Sequence, residues 1–224
     1  MATIGEQFQT KYKVDPNNFL CVSVATSGLD IQSVPLELAV AHDDFIQSSY
    51  ILGGDPRGNK EYTNIGYEAY VANARAKGEV LQDFQKVLDK NKPVFLVFGA
   101  GGWTKRMLRT AWPELALAIV KYPILSMIDL VKARTVDPIT LLEGESIGGS
   151  FDYVMKVAKV APSYVRVRLD AYAERAGYDE DLAIQRGIRK SNCTTAIMQV
   201  ARMAAILKDH FHRQYEEELD SDDA

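Results

Sequence analysis

Three apolar runs with almost nothing between them constrain this chain most. Leu20 to Val24, Leu36 to Ala41 and Phe45 to Leu52 each read as a strand, and only His42-Asp43-Asp44, a turn-forming triplet, separates the second from the third. Consecutive strands with such short connections predict an antiparallel meander. Gly53 to Lys60 reads as a loop rich in glycine and polar residues. From Gly66 the period changes: Val80, Leu81, Phe84, Val87 and Leu88 recur at helical spacing. Pro93 to Phe98 is a further buried strand, followed by a bend at Gly99 to Gly102 and a short helix around Lys105 to Thr110. Pro113 to Lys121 is helical with proline in its first turn, and Ile124 to Leu130 is a strand candidate. A long helix over about Asn192 to Phe211 carries the stripe Cys193, Ile197, Val200, Ala204 and Leu207. Strands first, then strands alternating with helices, predict an α/β protein: a mixed sheet flanked by helices.

At 224 residues, 47% of them hydrophobic, the chain suits one domain with a substantial core. No apolar run approaches the length of a membrane span, and the first 17 residues, a polar leader, do not look like a signal peptide. Cys21 and Cys193 lie in apolar stretches and read as reduced core residues, so the expected location is cytoplasmic and no membrane partner is expected. The net charge of −4 is uneven, because Glu216 to Ala224 holds six carboxylates and no base. Without that tail, 26 basic residues face 24 acidic ones. The tail, from about residue 212, reads as a solvated end or as an acidic arm for a basic partner.

Several segments resemble one enzyme family in order. Phe19-Leu20-Cys21-Val22-Ser23-Val24-Ala25-Thr26-Ser27-Gly28-Leu29-Asp30 is similar to the first motif of the DEDD (DnaQ-like) 3′–5′ exonucleases, F-L-V-I-D-x-E-T-T-G-L-D. Glu79 to Phe84 resembles the E-x-L-x-x-F helix before the second motif, and Val94 to Leu108 resembles V-L-V-G-H-N-A-x-F-D-x-x-F-L. Ile128 to Arg134 is similar to the I-D-T-L-x-L-A-R segment. Arg168 to Tyr178 resembles the segment before the third motif, and Lys190 to Ala196 is the best match to H-x-A-x-x-D-A. The resemblance covers about Asn18 to Lys208, within an expected domain over residues 18–211, and implies a ribonuclease-H-like fold. Val136 to Pro162 has no counterpart and looks like an insertion.

What the resemblance implies for chemistry is loss. Its metal-binding carboxylates fall on Ser23, Ala25, Thr104 and Thr195, and its general-base histidine falls on Lys190. The parent reaction uses two divalent ions to stabilise the attacking and leaving oxygens, and such hard ions need anionic oxygen ligands. A methyl group and three hydroxyls do not supply them. The expectation is therefore a pseudoenzyme with no metal or other cofactor. Other constellations do not replace the lost one. Gly99-Ala100-Gly101-Gly102 lacks the Gly-Lys-Ser/Thr ending of a phosphate loop, and His210 and His212, two apart on a helix, face different sides.

Three uses of such a domain stay open. Lys105, Arg106 and Arg109 after the second motif, with Arg186, Arg189 and Lys190 before the third, are candidates for drawing the phosphates of a single strand or its 3′ end. A noncatalytic structural or assembly subunit could dock a protein through residues 136–162 or the acidic tail 216–224. A metal-dependent 3′–5′ exonuclease with a rebuilt site would have to draw on Asp30, Glu37, Asp129 and Asp170, none of which stands at a family ligand position.

Overall fold

The hydrophobic runs become a five-stranded mixed sheet. A computed structural model describes residues 2–13, 15–28, 32–42, 45–59, 65–98, 101–126 and 196–212. Strands β1 (Phe19–Thr26), β2 (Pro35–His42) and β3 (Phe45–Tyr50) form the antiparallel meander. β4 (Phe95–Phe98) adds to β1 in parallel, and β5 (Ile124–Ser126) adds to β4 in parallel, giving the order β3-β2-β1-β4-β5. The α/β class and the mixed sheet flanked by helices are as expected from the sequence.

Alternation divides the sheet into two faces. Leu20 and Val22 of β1, Leu38 and Val40 of β2, and Leu96 and Phe98 of β4 enter one large apolar cluster. It is closed by helices α3 (Lys77–Asn91), α4 (Gly101–Ala111) and α5 (Pro113–Ile119). The stripe Val80, Phe84, Val87 and Leu88 of α3 is buried, as its spacing predicts. Met107, Leu108, Trp112 and Leu115 complete this layer. Each such side chain, fully buried, contributes roughly 1.5–3 kcal/mol relative to exposure.

The opposite face is covered by helix α6 (Ala196–His212), which packs on β1, β2 and β3. Val200, Ala204, Leu207 and Phe211 line its buried side. Helix α1 (Ile4–Tyr12) packs against α6, an element that the polar reading of residues 1–17 does not reveal. Its start is set by a capping box between Thr3 and Glu6. Its place is set by Phe8, which is buried against Phe95 and Phe211, while Phe19 touches the same two rings. Gly5 allows the approach: a Cβ there would lie 2.8 Å from the Phe211 carbonyl oxygen.

Some boundaries differ from the sequence reading for identifiable reasons. β3 ends at Tyr50, because Ile51 bridges to Arg75 and Gly53 then turns the chain at φ 137°. The following loop contains a short 3₁₀ turn at Pro56–Asn59. Helix α2 (Tyr67–Asn73) holds this loop through the Tyr70 hydroxyl, which donates to the Ile51 carbonyl and accepts from the Gly54 N–H. α4 begins at Gly101, inside the expected bend, and its last turn is secured by Lys77 Nζ donating to the Ala111 carbonyl at 2.9 Å. α5 stops at Ile119, two residues short of the expected end.

Candidate functional site

β1 carries Cys21, Ser23 and Ala25 on one face, and this is the face that α6 covers. Ser23 and Ala25 are each only 6% exposed. The Ser23 hydroxyl donates to Oε1 of Gln199, on the first turns of α6. Cys21 is a free, buried thiol, and burial pushes its ionisation far up, so it packs as a small apolar residue.

Beside Ala25 in the β1–β2 register stands Glu37. It interrupts the apolar run Leu36 to Ala41 of β2 and is 1% exposed. Its Oε2 accepts the backbone N–H of Ala196, the first residue of α6, at 2.8 Å. The Ile197 N–H and the Ser48 hydroxyl of β3 also hydrogen-bond the carboxyl. Burial raises its pKa to about 7, and these hydrogen bonds pull the other way. Helix starts leave N–H groups without partners, and here a strand residue far away in sequence supplies one.

Together Ser23, Glu37, Ser48 and Gln199 form a polar cluster between sheet and helix at the position where the family resemblance puts its first two carboxylates. The turn after β1 is also closed internally. Thr26 Oγ1 donates to the Gly28 carbonyl at 2.6 Å, and the Val34 N–H donates to Ser27 Oγ at 2.9 Å. The thiol, hydroxyl and methyl group of β1 do not fit a pair of divalent ions, and the Glu37 carboxyl is engaged by α6 and β3. Among the described residues no group of three or more His, Cys, Asp or Glu side chains could hold a metal.

The other candidates fall in different places. Thr104 and Lys105 lie on α4. Arg106 and Arg109 are on the exposed side of α4, three residues apart. Because Met107 and Leu108 of α4 join the cluster beneath Leu20 and Val22, this helix lies across the sheet from α6. Arg106 and Arg109 thus belong to the opposite layer from Ser23 and Ala25. Arg186, Arg189, Lys190, Thr195, the 136–162 segment and the 216–224 tail lie outside the described residues, as do Asp30, Asp129, Asp170 and Cys193.

Sequence reasoning names Glu37 only as a ligand for a rebuilt metal site and does not single out Gln199 or Ser48. The signal for Glu37 is present: one carboxylate in the run Leu36-Glu37-Leu38-Ala39-Val40-Ala41 demands a buried partner. Nothing local identifies that partner, because it is the start of a helix 159 residues away. None of the described helices is long and apolar enough to cross a membrane. No protein-family model matches this chain, and no curated protein matches it.

Proposed function

We propose that this chain is a catalytically inactive exonuclease-like protein of ribonuclease-H-like fold, acting as a noncatalytic assembly subunit. The antiparallel meander continuing into parallel strands supports the fold reading, since a mixed sheet of this order is what the resemblance implies. The observation that carries the functional reading is the state of Ser23 and Ala25. Both lie almost completely buried under α6, Ser23 is hydrogen-bonded to Gln199, and the carboxyl next to them caps a helix. A face committed to internal contacts of this kind serves packing rather than phosphodiester hydrolysis, whose developing charge needs anionic oxygens and metal. The surfaces left for function are then those of partner recognition.

A second reading has one observation in its favour: Arg106 and Arg109 stand exposed on one helix and could contact the phosphates of a single strand. Fluorescence anisotropy with a labelled single-stranded oligonucleotide, in EDTA and in Mn²⁺ across a salt series, separates the two. The assembly reading expects no turnover in Mn²⁺ and no salt-sensitive binding. Binding in EDTA that weakens in Arg106→Glu or Arg109→Glu would transfer the role to a metal-free nucleic-acid clamp. Oligonucleotide shortening in Mn²⁺ would end both readings in favour of a 3′–5′ exonuclease.

A further inference from the structure

We propose that protonation of Glu37 controls how firmly α6 seats on the sheet. The inference stands on the packing of this chain alone and holds whether or not the exonuclease reading does. Polar contacts described between α6 and the strands are those of the Glu37 carboxyl, which accepts from the Ala196 and Ile197 N–H groups, and of Ser23, which donates to Gln199. The first sits at the end of the helix, where the N–H groups have no partner within the helix. If the Glu37 contact is lost, the first turn of α6 loses its cap.

The groups facing Glu37 are neutral on every described element packed against it. β1 presents Ser23 and Ala25, β3 presents Ser48 and Tyr50, and α6 presents the Ala196 and Ile197 N–H groups and Gln199. No cation among these groups compensates an ionised carboxyl. A neutral carboxyl satisfies the cluster: its carbonyl oxygen accepts from the helix N–H groups and its O–H donates to Ser48 Oγ, since a hydroxyl can both accept and donate. An ionised carboxyl keeps its acceptor capacity and is favoured by the N–H groups of the helix start, but burial at 1% exposure outweighs them. It is relieved by water. Ser48 is exposed, so the route from Glu37 to solvent passes one hydroxyl, and a small displacement of the first turn of α6 opens it.

The sign follows from the raised carboxyl value. A group that binds its proton more tightly in the seated state stabilises that state fully below its ordinary value, and this contribution is lost as pH rises through the seated value. With an ordinary value of 4.5 and a seated value of about 7, α6 is held most tightly in mild acid and loosens toward and above neutrality.

The test is amide hydrogen exchange at Ala196 and Ile197 in the full chain, corrected for intrinsic exchange, with the carboxyl ¹³C shift of Glu37 followed in the same samples. Protection at both amides should fall on the order of 100-fold between about pH 5 and pH 8, the ratio that the two carboxyl values give. The carboxyl carbon should titrate with a midpoint near 7. Glu37→Gln keeps the carbonyl acceptor and a donor toward Ser48, so its protection should stay high and flat. Because it retains every histidine, any slope left in it measures those residues instead. A Glu37 midpoint near 4.5 overturns the proposal, and so does a Glu37→Gln variant whose protection falls as steeply as that of the parent. If Glu37→Gln does not fold, the carboxyl titration of the unaltered chain decides alone.

Discussion

Toward α3, α4 and α5 the inner strands β1, β2 and β4 bury the hydrocarbon of Leu20, Val22, Leu38, Val40, Leu96 and Phe98; under α6, β1 and β2 bury a thiol, a hydroxyl and a carboxyl alongside their apolar contacts. Both faces come from the same strands, one residue out of phase. On the first face each side chain gains from burial and none has to find a specific partner. On the second, each polar group costs stability unless one particular group meets it. The difference teaches where selection for packing alone stops explaining the residues. Ser23 and Glu37 stand buried where aliphatic side chains would fit the strands, and burial of hydrocarbon does not account for them.

Substitutions can break or sharpen this contrast. The largest effect is expected on the apolar side. Trp112→Ala removes one of the largest fully buried side chains and should cost about 3–5 kcal/mol in denaturant unfolding, with the same loss at pH 5 and pH 8. A pH-dependent loss there would mean that the two faces are not independent. Next comes the seat of α1. Gly5→Ala sets a methyl group 2.8 Å from the Phe211 carbonyl oxygen and should cost about 1–3 kcal/mol, because backbone rather than a flexible side chain has to yield. Gly78→Ala, in α3 with nothing within 4 Å of the added methyl, should have the opposite sign and a smaller size. The smallest change is expected from the polar cluster. Ser23→Ala should cost about 1 kcal/mol, read as a lowered unfolding midpoint. Adding Gln199→Leu should recover part of that loss, since removing both partners is cheaper than removing one. If the double variant is instead less stable than the sum of the single ones, the cluster holds the fold together and is not merely tolerated by it.

How much of this was legible in the sequence follows the same division. The apolar face was readable, because period alone places Val80, Phe84, Val87 and Leu88 on one side of a helix and Leu36 to Ala41 in a strand. The meander was readable from the short connection after His42. The docking of α1 was not, since Phe8 is a single aromatic residue in a polar stretch and its partners Phe95 and Phe211 are remote in sequence. Of the candidate site, the alignment of Cys21, Ser23 and Ala25 on one face followed from strand alternation. The capping role of Glu37 did not, because a hydrogen bond that joins distant segments leaves no local pattern. Nor did the separation of Arg106 and Arg109 from Ser23: the helix that follows the second motif is separated here from that face of the first by the thickness of the sheet.

The pairing of α1 with α6 also sets an order of events during synthesis. Residues 19–126 contain all five described strands and the three helices that close the apolar face, so that half of the molecule can assemble from sequence already made. α1 is made before that half, yet the surface it rests on, Phe211 and its neighbours, is made about two hundred residues later. Until then Phe8 and Phe19 lack the Phe211 ring, and the face of the meander on which α6 packs lacks that helix. Contacts of such long range form late, after the entropy of closing the loop has been met. The interval between the two helices is when this chain is most open to other chains.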